Sequence, residues 1–318
     1  MAGLNGKKIL VTGGAGFIGS HLVLELLKNQ AKVFVIDLEA RPKSFFSLNK
    51  LSNKVNFKIL DVRDKSKVFS YFNKFNFDYI CHLAAEPIVG EGYDNPHATF
   101  ETNIMGTVNI LEAVRKYRVK GIVAASSDKA YGKTQKTYTE KSPLRGDHPY
   151  DVSKSSADLI CQAYYKTYGI SVVITRFGNV YGEGDLHFDR IIPGICKALI
   201  KNDDFKIRSN GKYVRDYIYV KDVVDGYLLL LQKINRVQGE AFNFSSAENL
   251  SVVEVIKKIE KRLGKRISYK ILNIAKNEIP YQHLDDSKVR KLGWRTNYSL
   301  DSTIEQILDW YKHDFYKN

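Results

Sequence analysis

The chain lacks any apolar run near the roughly 18 residues that a membrane-crossing helix requires, although 44% of its 318 residues are hydrophobic. No cationic and apolar leader precedes the first strand-like segment, so the expected setting is cytoplasmic. Cysteine is scarce. Cys81, Cys161 and Cys196 are odd in number and widely spaced, with no CxxC and no zinc-type spacing, which excludes a disulfide framework and gives no metal-ligand set. They read as buried thiols in a reducing compartment. Acidic residues are in deficit, 35 against 49 basic ones, for a net charge of +14. Such a surplus raises nucleic-acid binding, but the Lys and Arg residues are scattered, with no long basic run and no aromatic–basic interleaving. The surplus therefore reads as a solvated surface, part of it available to an anionic substrate. Repeats, low-complexity stretches and linkers are also missing. At this length, and with 26% charged residues, the chain is an ordinary soluble globular protein of one large or two modest domains.

What is present is a regular alternation of strands and helices. Short apolar strands are predicted at Lys8–Val11, Lys32–Ile36, Asn56–Leu60, Tyr79–Leu83, Gly121–Ala125 and Ser171–Arg176. Helices are predicted between them, at Ser20–Asn29, about Phe100–Tyr117 and Tyr150–Tyr168. Strands alternating with helices imply a parallel sheet covered on both faces, and right-handed crossovers make it an α/β doubly wound sheet of Rossmann type. After Arg176 the rhythm breaks into a loop-rich segment with one helix, about Arg190–Lys201.

Gly13, Gly16 and Gly19 form a GxxGxxG between the first strand and the first helix. Glycines there allow a tight turn and let a pyrophosphate approach backbone amides at a helix N-terminus. Asp37 closes the next strand, where a carboxylate accepts from an adenosine ribose and repels a 2′-phosphate. NAD is favoured over NADP on that basis, with Arg41 and Lys43 as the opposing signal.

A second cluster carries the chemistry. Ser127-Asp128-Lys129 closes the Gly121–Ala125 strand, and Tyr150 and Lys154 follow one helical turn apart on one face. A phenol of pKa near 10 is a poor base at neutral pH. An ammonium one turn away favours the phenolate, which takes a hydroxyl proton while hydride departs. The acid and amine beside Ser127 point to more than simple oxidation.

These residues sit in a wider pattern: TGGAGFIGSHL at 12–22, Asp61-Val62, HLAA at 82–85, NIMGTVN at 103–109, SSDKAYG at 126–132, RFGNVYG at 176–182 and VRDYIYV at 214–220. The pattern resembles the extended short-chain dehydrogenase/reductase superfamily, in its nucleotide-sugar branch, over essentially the whole chain. The Asp–Lys pair after Ser127, with Ala85-Glu86-Pro87-Ile88-Val89 and Asp94-Asn95-Pro96, resembles NDP-hexose 4,6-dehydratases and most of all CDP-glucose 4,6-dehydratases. Tyr131-Gly132 and Val214-Arg215-Asp216-Tyr217 follow the wider superfamily, so the base stays open.

The resemblance implies an NAD-binding domain over residues 1–176, with returning segments about 216–245. It implies a smaller C-terminal substrate domain over 177–215 and about 246–318. It implies a cofactor site of Gly13, Gly16, Phe17, Ile18, Gly19, Asp37, Asp61, Val62, Leu83, Ala84, Ala85, Asn103, Tyr150 and Lys154. Ser127 would hydrogen-bond the C4 oxygen, Tyr150 would take its proton, and Lys154 would also hold the nicotinamide ribose. Lys129 as amine would take the C5 proton, and Asp128 as acid would protonate the leaving C6 hydroxyl, ionisation states that burial must supply. Asn103 would position the active-site helix or a water, Asn179 and Arg215 would hold the diphosphate, and Glu86 and Arg190 would face the sugar. His82 reads as structural. The partner is a nucleotide-diphosphate sugar, with no nucleic acid, membrane or metal. A homodimer is implied through Ile104, Val108, Leu111, Leu159, Ile160 and Ala163. The alternative is an NAD-dependent 4-epimerase on the same fold; a non-catalytic dinucleotide- or RNA-binding protein is disfavoured by the intact Tyr150 and Lys154.

Overall fold

A computed structural model describes residues 3–133, 137–275 and 279–317. Among the described residues the strands are, in chain order, β1 Lys8–Thr12, β2 Lys32–Asp37, β3 Asn56–Ile59, β4 Tyr79–His82, β5 Gly121–Ala125, β6 Val172–Phe177, β7 Asn179–Tyr181, β8 Phe205–Ile207, β9 Val214–Tyr219, β10 Ala241–Phe244, β11 Asn249–Ser251 and β12 Tyr269–Ile271. Seven of them form one sheet in the order β10-β6-β5-β4-β1-β2-β3, with every pairing parallel. Helices cover both faces of this sheet, so residues 9–12 of β1 and all six residues of β6 are buried. Within this sheet the edge strand β3 is mostly exposed.

The order reverses between β1 and β4, and the crevice outside the carboxyl ends of such strands is where ligands bind in open α/β sheets. Thr12, His82 and Ala125 end there, followed by the glycine turn, by Leu83–Ala85 and by Ser127–Lys129. One core lies under helices Phe17–Lys28 and Val220–Val237, and another on the opposite face under Lys65–Lys74 and Gly106–Lys116. A third core joins Tyr181, Ile192, Tyr217, Val255, Ile304 and Tyr311 beyond the strand ends. It is roofed by the helices Val252–Leu263 and Leu300–Trp310, and its strands β11-β9-β7 form a separate small sheet.

The helix expected near 100–117 is not one regular helix. Pro96–Phe100 leads through a π turn, Glu101–Met105, into Gly106–Lys116. The extra residue of a π turn re-aims the following side chains. Gly106 is needed where this turn crosses Val62, since a Cβ there would lie 2.7 Å from Val62 Cγ2. Leu111, expected among the pairing residues, is fully buried in the sheet core. Among the described residues no helix is long and apolar enough to cross a membrane.

Candidate active site

The glycine turn is shaped by contacts that no other residue tolerates. Gly13 has φ +69°, and a Cβ on it would lie 2.7 Å from the Ala84 amide nitrogen; on Gly19 it would lie 2.1 Å from the Gly13 carbonyl oxygen. Gly16 starts the Phe17–Lys28 helix with no side-chain cap, and a Cβ there would meet only the Gly13 oxygen, at 3.3 Å. A tight turn, an uncapped helix start and an open face beside it form a cradle for a pyrophosphate. Phe17 and Ile18 offer this cradle only their backbones, since their side chains pack against the third core.

Asp37 Oδ2 accepts from the Ala15 amide at 2.9 Å and Oδ1 from the Leu38 amide at 2.8 Å. It braces the glycine turn from the end of β2, and burial pushes its carboxyl upward. The two cations that argued for a 2′-phosphate are otherwise engaged: Arg41 pairs with Glu39 at 2.8 Å, and Lys43 donates to the Phe315 carbonyl at 3.3 Å. Asp61 is paired with Arg63 at 2.6 Å, and the Val62 side chain is buried. The Leu83 and Ala84 amides are tied to Thr12, at 3.0 and 3.2 Å. Ala85 follows, partly buried.

Asn103 reaches both the Glu86 loop and the helix that carries Tyr150. Its Oδ1 accepts from the Glu86 amide at 2.7 Å, and its Nδ2 donates to the Glu86 carbonyl and to Ser153 Oγ, at 3.2 and 2.9 Å. The whole amide is used to fasten the Glu86 loop to the helix that carries Tyr150. His82 is structural: its ring contacts Thr12 and Thr107, at 2.7 and 3.1 Å, and burial lowers it to about 3.

Ser127, two residues past β5, is extended and starts a short 3-10 turn, Asp128–Tyr131, by accepting from the Lys129 amide at 3.2 Å. Its hydroxyl donates to Asp128 Oδ1 at 3.0 Å. Lys129 Nζ reaches the same oxygen at 3.2 Å and Asn179 Oδ1 at 3.3 Å. Asp128 is buried and Lys129 partly so. The Pro149–Tyr168 helix lays Tyr150, Lys154 and Asp158 along its buried stripe. It is held to the 3-10 turn by Ser155 Oγ, which donates to the Ala130 carbonyl at 2.8 Å.

Burial pushes the Tyr150 phenol well above its usual range, with the Arg190 cation pulling the other way and the Asp128 and Asp151 carboxylates adding to the rise. Lys154 Nζ donates to the Ala125 carbonyl at 3.4 Å, and burial lowers its ammonium to about 8. Arg190 itself pairs with Asp185 at 3.2 Å. Glu86 is partly buried, its Oε1 accepting from the Ile88 amide at 3.2 Å, and burial raises it. Arg215, also buried, lies 5.9 Å from the Tyr213 ring centroid and donates to the Val214 carbonyl at 2.9 Å.

Two features escaped the sequence reading. Asp151, fully buried beside Tyr150, pairs with His148 at 3.0 Å, and with Asp147 the three place ligand-type atoms within 4.8 Å of one another. Asp147 is itself paired with Lys133 at 3.1 Å. The second is a fully buried bidentate pair: Arg176 Nε and Nη2 donate to Asp158 at 2.8 and 2.9 Å, and Nη1 donates to the Tyr131 hydroxyl at 2.7 Å. The signal for Asp158 was its place one turn past Lys154.

The model of the NAD dependent epimerase/dehydratase family matches residues 9–245. The chain belongs to that family. It is 32% identical to the CDP-glucose 4,6-dehydratase of Salmonella typhimurium over 96% of this chain and 91% of that one. It is 33% identical to the putative UDP-glucose 4-epimerase of Methanocaldococcus jannaschii over 96% and 99%. Among solved structures it resembles DesIV, the dTDP-glucose 4,6-dehydratase of Streptomyces venezuelae with NAD and TYD bound, at TM-score 0.88 and 30% identity over 96% and 97% of the two chains.

Proposed function

We propose that this chain is an NAD-dependent nucleotide-diphosphate-hexose 4,6-dehydratase acting on a CDP-glucose-like substrate and forming the 4-keto-6-deoxyhexose. The single observation that carries the reading is the Asp128–Lys129 pair, held in contact at 3.2 Å directly after Ser127. An ammonium and a carboxylate in contact are one proton transfer away from an amine and a carboxylic acid. Those are the base and the acid that loss of water across C5 and C6 requires.

The glycine turn, Asp37 and the helix start at Gly16 would hold NAD, which when bound would supply a hydride acceptor for C4 and a hydride donor for C6. Tyr150 takes the C4 hydroxyl proton, and Ser127 orients the C4 oxygen. Arg190 favours the phenolate against burial, and Lys154 adds a cation for the nicotinamide ribose. The 4-keto group acidifies C5–H, Lys129 removes that proton, and Asp128 protonates the departing C6 oxygen. Asn179 fixes Lys129 and, with Arg215, faces the diphosphate; Glu86 lines the sugar. In this reading residues 1–176 and about 216–245 hold the cofactor, and 177–215 with about 246–318 hold the substrate. The working unit is a homodimer joined through Ile104, Val108, Leu159, Ile160 and Ala163, beside the exposed Met105.

The test is mass spectrometry of products from CDP-, GDP-, UDP- and dTDP-hexoses. A dehydratase product is lighter by one water and absorbs strongly in alkali. Asp128→Asn should block loss of water while C4 oxidation continues, and Lys129→Met should stop exchange of the C5 proton with solvent deuterium, each by about 10²–10⁴-fold. The second reading, a 4-epimerase, is favoured by the similar identity to the putative UDP-glucose 4-epimerase. It is carried if products keep the substrate mass and differ only in configuration at C4.

A further inference from the structure

A dehydratase needs two pairs of side chains to act on one hexose ring in succession. In this chain Tyr150 and Lys154 stand on the Pro149–Tyr168 helix, and Asp128 and Lys129 on the 3-10 turn Asp128–Tyr131. The first pair serves C4 and the second serves C5 and C6. These carbons are neighbours, so the turn and the helix must keep one mutual placement through hydride transfer and loss of water. Ser155 Oγ, from the helix, holds the turn at the Ala130 carbonyl, at 2.8 Å. One hydrogen bond fixes a distance and leaves rotation about it free.

Arg176 supplies a second point of attachment. It stands on β6, is 2% exposed, and divides its guanidinium between the two elements. Nε and Nη2 donate to the two carboxylate oxygens of Asp158, at 2.8 and 2.9 Å, one turn past Lys154 on the helix. Nη1 donates to the Tyr131 hydroxyl at 2.7 Å, at the close of the turn that bears Asp128 and Lys129. The Tyr131 ring centroid lies 4.9 Å from the guanidinium carbon, and the ring stacks on Tyr138 at 4.8 Å. Burial pushes the Tyr131 phenol up to about 12. It therefore stays a hydroxyl, accepting from Arg176 and donating to Asn243 Oδ1 at 2.7 Å. A planar fork with fixed N–H directions sets angle as well as distance, and a buried network whose members are paired is rigid.

We propose that Arg176 is the positioning residue that sets the Asp128–Lys129 turn against the Tyr150–Lys154 helix, a role that rests on the dehydratase reading. It acts through Tyr131 and Asp158 and not on the sugar. The helix has a fastening of its own, Asn103 Nδ2 donating to Ser153 Oγ at 2.9 Å, so loosening the turn leaves Tyr150 in place. The loss is felt where the turn's own groups act, in proton removal at C5 and departure of water, and much less in hydride transfer from C4.

The test uses the NAD-loaded enzyme and whichever of the CDP-, GDP-, UDP- and dTDP-hexoses the wild type dehydrates, followed in deuterium oxide by NADH absorbance and mass spectrometry. Tyr131→Phe removes one oxygen, keeps the ring stack and leaves the Arg176–Asp158 pair in place. It should slow C5 exchange and loss of water by about 10²-fold, the scale on which a misplacement of about 1 Å acts. NADH should form at close to the wild-type rate and accumulate with the 4-ketohexose. Arg176→Lys keeps a cation beside Asp158 but has no fork to reach Tyr131 as well. It should show the same split between the two steps, and it carries the test if Tyr131→Phe does not fold. The double variant should be no slower than the slower single variant, since both cut one contact. A residue that only stabilises the fold lowers Tm and slows the two steps alike. Equal slowing of both steps, slowing of neither, or single-variant effects that multiply in the double variant overturns the positioning role and leaves the dehydratase reading intact. A wild-type enzyme that forms no 4-keto-6-deoxy product from any of these hexoses overturns that reading, and the role of Arg176 with it.

Discussion

Replacing Lys154 by methionine should stabilise the protein while destroying its activity. Lys154 is 6% exposed, and burial lowers it from 10.5 to about 8. At 1.36 kcal/mol per unit, keeping this ammonium buried at pH 7 costs the folded state about 3 kcal/mol. The sign follows from the depressed value. The folded state disfavours the charged form, so the cost is complete below pH 8, shrinks between about 8 and 10.5, and vanishes above. Methionine keeps most of the stem's packing and loses only the 3.4 Å contact with the Ala125 carbonyl. An unfolding entropy of about 2.1 cal/mol/K per residue over 318 residues converts 3 kcal/mol into a Tm rise of about 4–5 °C. Calorimetry without added dinucleotide should show that rise at pH 7 and a shrinking difference towards pH 10, with C4 oxidation lost throughout. A Lys154→Met protein that is less stable than wild type at pH 7, or whose difference does not change with pH, would refute the assignment of a buried, strained ammonium.

Three further outcomes follow from the same structure. Arg176→Met strands the buried Asp158 carboxylate with only Gln162 Nε2, at 2.8 Å, and should cost about 3–5 kcal/mol, a Tm fall of about 5–7 °C by the same conversion; a fall under 1 °C counts against the pair's burial. Gly19→Ala pushes a Cβ to 2.1 Å from the Gly13 oxygen, and overpacking of about 1–3 kcal/mol should weaken NAD binding by about 5- to 100-fold in titration calorimetry; unchanged affinity would contradict the tightness of the turn. Sedimentation at micromolar concentration should give a dimer, and Leu159→Glu, at a position 52% exposed, should yield monomer; a monomeric wild type sinks the expected pairing.

The order of strands through β6 was legible in the sequence because its signals are local, although the helix Lys65–Lys74 between β3 and β4 was not anticipated. Apolar runs such as Ile9–Val11 and Ile122–Ala124, the turn chemistry of Gly13 to Gly19, and the one-turn spacing of Tyr150 and Lys154 need only neighbouring residues to act. The carboxyl ends of parallel strands share one side of the sheet, so the glycine turn and Ser127 could be assigned to the same crevice before any coordinates existed. The π turn at Glu101–Met105 was not legible, since it depends on the fit of Gly106 against Val62. The partners inside the crevice were not legible either. Asn179 meets Lys129 across 50 positions, and Asn103 fastens Glu86 and Ser153. Each joins residues far apart in the chain, and which of them meet depends on how loops from different strand ends are carried over one another. Ionisation was decided there too: periodicity shows that Lys154 lies beside Tyr150, but only the depth at which the helix packs fixes what burial does to both.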